Sequence, residues 1–103
     1  MRPAQGDIWW AEAEDRRRPV LVVTRSDAVP VLTRIVVAPV TRTIRGIPTE
    51  VALSSAHGLP DECVASFDNL QPIRLSFLTE RVGALATDER HEICRALRAL
   101  SDC

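Results

Sequence analysis

The sequence predicts a mainly β, α+β fold: a small, strongly bent antiparallel barrel with one C-terminal helix packed on it. Three observations carry this expectation. Short aliphatic runs such as Val20-Leu21-Val22-Val23 and Ile35-Val36-Val37-Ala38 are β-branched, too short for helices, and bounded by breakers. Secure helical spacing comes last, in Ile93, Leu97 and Leu100. The 103 residues, 46% hydrophobic and 26% charged, leave room for one modest core, so a single domain over 1–103 is expected.

Taken in order, Gly6-Asp7 opens a first strand through Ile8-Trp9-Trp10-Ala11. Adjacent tryptophans on a strand point to opposite faces, so one belongs to a core and the other covers a surface. Glu12 to Arg18 reads as a charged loop, acids first and arginines last. The second strand is 19–24, with Pro19 at its first position, where no ladder donor is needed. Ser26-Asp27-Ala28 turns the chain, and a third strand runs from about Val31 to Val40. Residues 41–48 form a polar, basic loop punctuated by Gly46 and Pro48. A fourth strand covers 49–53, and residues 54–61 hold too many breakers for more than one helical turn. The fifth strand is 62–67. Asp68-Asn69-Leu70 then leads into a sixth at about 71–75, followed by a helical turn near 77–81. Thr87 is the expected N-cap of the last helix, with Asp88 and Glu89 in its first turn, where the helix dipole favours acids. Ile93, Leu97 and Leu100, with Cys94 beside them, form the face expected to meet the sheet.

Composition narrows the function classes. The net charge of −1 supplies no global field for nucleic acid, and the apolar content argues against disorder. All thirteen basic residues are arginine, whose planar fork suits phosphate. Arg16 to Arg18 and Arg42 to Arg45 fall in loops beside strand ends, while Arg90, Arg95 and Arg98 fall on the last helix. The three cysteines, Cys63, Cys94 and Cys103, are odd in number and contain no CxxC pair, so no zinc or redox motif is supported. They read as reduced thiols, with Cys63 and Cys94 in the core. No apolar run approaches the ~20 residues of a membrane span, and the N-terminus lacks a signal-peptide core, which makes the cytoplasm the default location.

The chemistry concentrates at one rim. Arg18 is held at the mouth of the rigid strand that follows Pro19, and Thr41 ends the third strand. If those strands are antiparallel neighbours, the two side chains emerge together. The segments Gly6-Asp7-Ile8-Trp9-Trp10, Arg18-Pro19-Val20-Leu21-Val22-Val23 and Val37-Ala38-Pro39-Val40-Thr41, with Pro48-Thr49-Glu50-Val51 and Asp68-Asn69-Leu70, resemble the MazF/PemK toxins of bacterial toxin–antitoxin pairs, in order and over essentially the whole chain. The resemblance implies an SH3-like, plasmid-maintenance-toxin barrel that works as a homodimer. It further implies a metal-independent endoribonuclease without cofactor (an mRNA interferase) acting on single-stranded RNA, with mRNA, tRNA and rRNA all open as targets. Silencing by a cognate MazE-like antitoxin with an acidic disordered tail is implied as well. By the same resemblance Arg18 is catalytic and Thr41 is its partner. Some members carry a further catalytic arginine after the fifth strand; this chain has Ser66-Phe67-Asp68-Asn69 there.

Metal-free RNA cleavage requires proton removal from the 2′-OH, neutralisation of the phosphorane, and protonation of the leaving 5′-oxygen. Arg18 suits the second service, because a guanidinium binds two phosphate oxygens and stays charged. Thr41 would hold a phosphate oxygen or the 2′-OH. Candidates for the base are His57, His91 and the acids Glu12, Glu14 and Asp15. Arg16, Arg17, Arg42 and Arg45 are candidates for RNA backbone contacts, with Asp68 and Asn69 nearby. Only four aromatics are present, Trp9, Trp10, Phe67 and Phe77, so base stacking is limited. Two rival readings remain at this point: a CcdB-like gyrase poison of the same fold, acting through the C-terminal helix, and a barrel that binds RNA or protein without chemistry.

Overall fold

The computed structural model describes residues 2–13 and 15–101. Among these residues the chain forms seven strands and one α-helix: β1 (Asp7–Ala13), β2 (Arg16–Val22), β3 (Arg34–Thr41), β4 (Glu50–Leu53), β5 (Cys63–Ser66), β6 (Gln71–Arg74), β7 (Leu78–Ala84) and α1 (His91–Ser101). The strands pair antiparallel in the order β4-β5-β3-β2-β1-β7, with β6 beside the first half of β3. The sheet curls into a half-barrel, and α1 lies against one side of it. The expected class is borne out.

Strand alternation divides the apolar residues between the two sides of the sheet. Ile8, Leu21 and Ala38 join Phe67, Ile93 and Ala96 in the larger core, which we call the helix side. Trp9, Val20, Val22, Ile35 and Val37 form a second core on the opposite side. The tryptophan pair divides as expected. Trp9 is buried, its indole N–H donating to Asp7, whereas Trp10 is half-buried on the helix side. The helix contributes Ile93, 1% exposed, and truncating such a residue to alanine costs roughly 2–5 kcal/mol.

Several expectations are corrected. Arg16, Arg17 and Arg18 lie within β2, paired with Ala13, Glu12 and Ala11, so the arginines are strand residues and Pro19 is interior to the strand. A hairpin ladder with β1 compensates for the poor strand propensity of three consecutive cations. The third strand begins at Arg34, because Val29–Val31 winds into a 3-10 turn with Pro30 near its start. A turn was expected near 77–81, but the turn is Leu75–Phe77 and residues 78–84 form β7. That strand is polar, half-exposed and interrupted by register shifts against β1, which erases its alternation. Thr87 is not the helix cap. Thr87–Glu89 is a 3-10 turn preceding α1, and the Glu89 carboxylate accepts from the Ala86 N–H at 2.8 Å, serving the orphan donor from within the turn. On α1, Cys94 and Leu100 are exposed, and the buried stripe is Ile93 and Ala96 with Leu97 partly covered. Cys63 is buried as expected, and burial pushes its thiol pKa up. Glu14 and Cys103 lie outside the described residues.

Candidate nucleic-acid interface

The site arises where the sheet splits. The ladder between β2 and β3 runs Val22↔Val37, Leu21↔Ala38, Val20↔Pro39 and stops there. The next residue of β2 is Pro19, which has no N–H to extend it. Beyond this point β2 continues with β1 alone, while β3 turns to β5 through Val40↔Ala65 and Thr41↔Val64. Arg18 and Thr41 occupy opposite positions two residues past the last rung, one on each arm of the fork. Alternation puts both on the side away from α1.

A groove of about 600 Å³ opens at this fork, lined by Arg18, Thr41, Arg45, Asp68 and Asn69 together with Thr43 and Gln71. Five of the residues singled out from the sequence are thereby brought together. A neighbouring hollow of about 660 Å³ shares Arg18 and Gln71 and adds Arg16, Arg17, Asp15, Ile73 and Phe77. Arg18 is exposed and forms no ion pair among the described residues. Thr41 is half-buried, and its hydroxyl oxygen accepts from the Thr43 N–H at 3.1 Å, which leaves its hydrogen free to donate. Asp68 accepts from the Thr49 hydroxyl at 2.5 Å, and the Asn69 amide donates to Ser66 Oγ at 2.8 Å. Both groove-wall side chains are therefore held from behind.

Two of the expected RNA contacts are absent from the lining of the fork groove, although Arg17 borders the neighbouring hollow. Arg17 is on the helix side, its guanidinium 4.1 Å over the Trp10 ring, 3.4 Å from Glu12 and 3.8 Å from Glu80. Arg42 is also on that side, paired with Asp61 at 3.3 Å. Among the base candidates, Glu12 belongs to the Arg17 cluster; the Thr79 hydroxyl, and then Arg17, hold its carboxyl below the usual range. His57 is buried outside the groove. Its Nδ1 accepts from the Ser54 N–H at 3.0 Å, so Nε2 carries the proton and donates to Glu89 at 3.0 Å. The Glu89 carboxyl is lowered chiefly by the Ala86 N–H and then by His57. A Cβ on Gly83 would meet the His57 carbonyl oxygen at 2.0 Å, so this segment is pressed backbone to backbone against β7. His57 locks the fold. His91 is exposed at the start of α1, and Asp15 lines the hollow beside Arg18.

Sequence reasoning missed Glu50. It is 8% exposed, and its carboxylate accepts from the Arg45 N–H at 3.1 Å and the Gly46 N–H at 2.9 Å. A buried acid at the start of a strand, four residues after a glycine, is the signal that could have found it. Arg95 reaches from α1 to the same segment, donating to Pro48 O at 2.7 Å and Glu50 O at 2.9 Å.

The family model of PemK-like, MazF-like toxins of type II toxin–antitoxin systems matches residues 4–101. A probable endoribonuclease MazF5 of Mycobacterium tuberculosis is 41% identical over 103 residues, covering 98% of this chain and 94% of the relative. Among solved structures, the M. tuberculosis toxin MazF-mt6 superposes with a TM-score of 0.86 at 36% identity, covering 93% of this chain and 96% of that one. An endoribonuclease from a mycobacterial species, solved with its cognate antitoxin, gives a TM-score of 0.81 at 25% identity, with 95% and 94% covered. The split sheet, the groove beside it and these likenesses agree: the chain belongs to the PemK-like, MazF-like toxins of type II toxin–antitoxin systems.

Proposed function

We propose that this toxin is a metal-independent endoribonuclease that cuts single-stranded RNA, with Arg18 and Thr41 as its catalytic pair. Its family and its relatives, among them the probable endoribonuclease MazF5 and the endoribonuclease MazF3 of M. tuberculosis, support the activity over the gyrase-poison and non-catalytic readings. The residue roles rest on one observation above others. Arg18 and Thr41 stand on the two arms of the fork and line one groove, which Arg18 enters with no ion pair among the described residues to neutralise it.

The 2′-hydroxyl gives up its proton to a base as its oxygen attacks the adjacent phosphorus, a phosphorane forms, and the bond to the 5′-oxygen breaks as that oxygen takes up a proton, leaving a 2′,3′-cyclic phosphate and a 5′-hydroxyl. Arg18 binds two equatorial oxygens as charge builds, the moment at which a fixed cation contributes most. Thr41 donates its free hydrogen to a phosphate oxygen. Asp68 and Asn69 border the same phosphate path, while Arg16 and Arg45 attract the flanking backbone. Arg17 and Arg42 face the other side and serve the fold. The toxin acts in the cytoplasm on cellular RNA as a homodimer. A cognate antitoxin silences it through an acidic segment complementary to the arginine-lined groove.

The test is cleavage of a long single-stranded RNA in excess EDTA by wild type, Arg18→Ala and Thr41→Ala. Discrete fragments with cyclic phosphate ends from the wild type alone are expected. Intact RNA in every lane, from folded protein that still arrests growth, would sink the reading.

A further inference from the structure

Glu50 poses a question that the catalytic pair does not answer. A carboxylate buried to this degree ordinarily faces a cation, because desolvating it alone is costly. Glu50 forms no ion pair among the described residues. Its side-chain bonds all go to the main chain of the loop ahead of it. Oε1 accepts from both Arg45 N and Gly46 N, and Oε2 accepts from Arg45 N at 3.2 Å. Gly46 turns there with φ +69°, a left-handed conformation that frees both N–H groups to point at one acceptor. The far end of the loop is fastened by Arg95, whose guanidinium takes the Pro48 and Glu50 carbonyls and is itself braced by Glu92. The loop so held carries Thr43 and Arg45 into the groove, flanked by exposed Ile44 and Ile47, which gain little from burial and cannot hold its shape.

We propose that Glu50 is a positioning residue for RNA binding: it shapes the 42–48 loop so that Arg45 meets a backbone phosphate beside the Arg18–Thr41 fork. This rests on the reading of the groove as the RNA site. It assigns Glu50 no contact with RNA and no part in proton transfer; its effect passes through Arg45. Glutamine retains the function, since one carbonyl oxygen at the Oε1 position accepts both N–H bonds. Aspartate does not, being one methylene short of the loop.

The experiment measures binding of a short random-sequence 2′-O-methyl RNA, which has no free 2′-OH to cleave, across a potassium chloride series. Wild type, Arg45→Ala, Glu50→Ala, Glu50→Asp, Glu50→Gln and the Arg45→Ala/Glu50→Ala double variant are compared, each checked for folding by circular dichroism. Losing one phosphate contact on a single strand should make the slope of log K against log salt shallower by about 0.7. Arg45→Ala, Glu50→Ala and Glu50→Asp should all show that change, the double variant should show no more than Arg45→Ala alone, and Glu50→Gln should keep the wild-type slope. On cleavable RNA the same variants should raise KM and leave kcat nearly unchanged. A folded Glu50→Ala or Glu50→Asp with the wild-type slope, or losses that multiply in the double variant, would overturn the inference. Failure of both variants to fold would overturn it too, because Glu50 would then serve the fold alone. An unchanged Arg45→Ala instead refutes the assignment of Arg45 to RNA, and with it the premise, before Glu50 is judged.

Discussion

Arg17 and Arg18 are chain neighbours on one strand, equally charged and both exposed, yet the fold gives them opposite surroundings. Arg17 lies on the helix side over Trp10, between Glu12 and Glu80, its charge compensated within the chain. Arg18 points to the other side, where the sheet has split and no described acid pairs with it. The difference is one step of strand alternation, and it separates a cation compensated within the chain from one left without an ion pair among the described residues. Pro19 keeps the distinction in place by ending the β2–β3 ladder directly above. The site is thus made by an interruption of regular structure more than by any unusual residue.

The largest test of this contrast is to truncate each arginine in turn. Arg18→Ala should lower the cleavage rate by roughly 10²–10³, as for the loss of one fixed donor to a developing anion. Arg17→Ala should leave cleavage within a few-fold of wild type. Its cost should appear in thermal unfolding, where losing a cation–π contact is worth about 0.5–1 kcal/mol, or roughly 4–8 °C per kcal/mol for a domain near this size. Equal losses of activity from both variants would break the comparison. Thr41 sharpens it from the other arm of the fork. A hydroxyl donating to a charged group is worth about 1.5–3 kcal/mol, so Thr41→Ala should slow cleavage roughly 10- to 150-fold, with Thr41→Ser restoring most of the rate. A serine variant as slow as alanine would show that the methyl group, not the hydroxyl, matters there.

The strands that lead to the fork, from Pro19 on one side and up to Thr41 on the other, were legible from sequence because both depend on local rules. Pro19 and Pro39 mark the strands, the aliphatic runs fix their buried stretches, and the register follows once they pair. What escaped depends on tertiary partners. Arg16 to Arg18 read as a loop because nothing local reveals the β1 ladder that extends them. The strand β7 was hidden by its polar, half-exposed and bulged pairing. Cys94 lies beside the Ile93–Leu97 stripe in sequence, but the helix meets the sheet on the Ala96 side of that stripe and leaves the thiol exposed. Glu50 and Arg95 could not be joined at all, since 45 residues separate them and their bonds are to main-chain atoms. Local pattern predicts elements and their ends; it does not predict which side chain secures a loop in another part of the chain.

The smallest effect concerns acid stability, and it asks whether the Arg17 side is a charge-compensated structure at all. The Glu12 carboxyl is lowered first by the Thr79 hydroxyl and then by Arg17. A carboxyl whose pKa is depressed in the fold stabilises the protein above its unfolded value, near 4.3 for glutamate. That contribution is lost as pH falls through the folded value. Glu12→Gln should therefore be slightly less stable than wild type at neutral pH, and the gap should close in acid, as read by urea unfolding at stepped pH. The same substitution in an Arg17→Ala background should show a smaller gap, because the second of the two causes is gone. Surface pairs of this kind are weak and screened by salt, so the gap should also narrow in high salt. Cleavage by Glu12→Gln should stay at the wild-type rate throughout, since Glu12 faces away from the fork. A cleavage defect in that variant, with stability unchanged, would mean that the two sides of the strand are coupled and that alternation alone does not divide their roles.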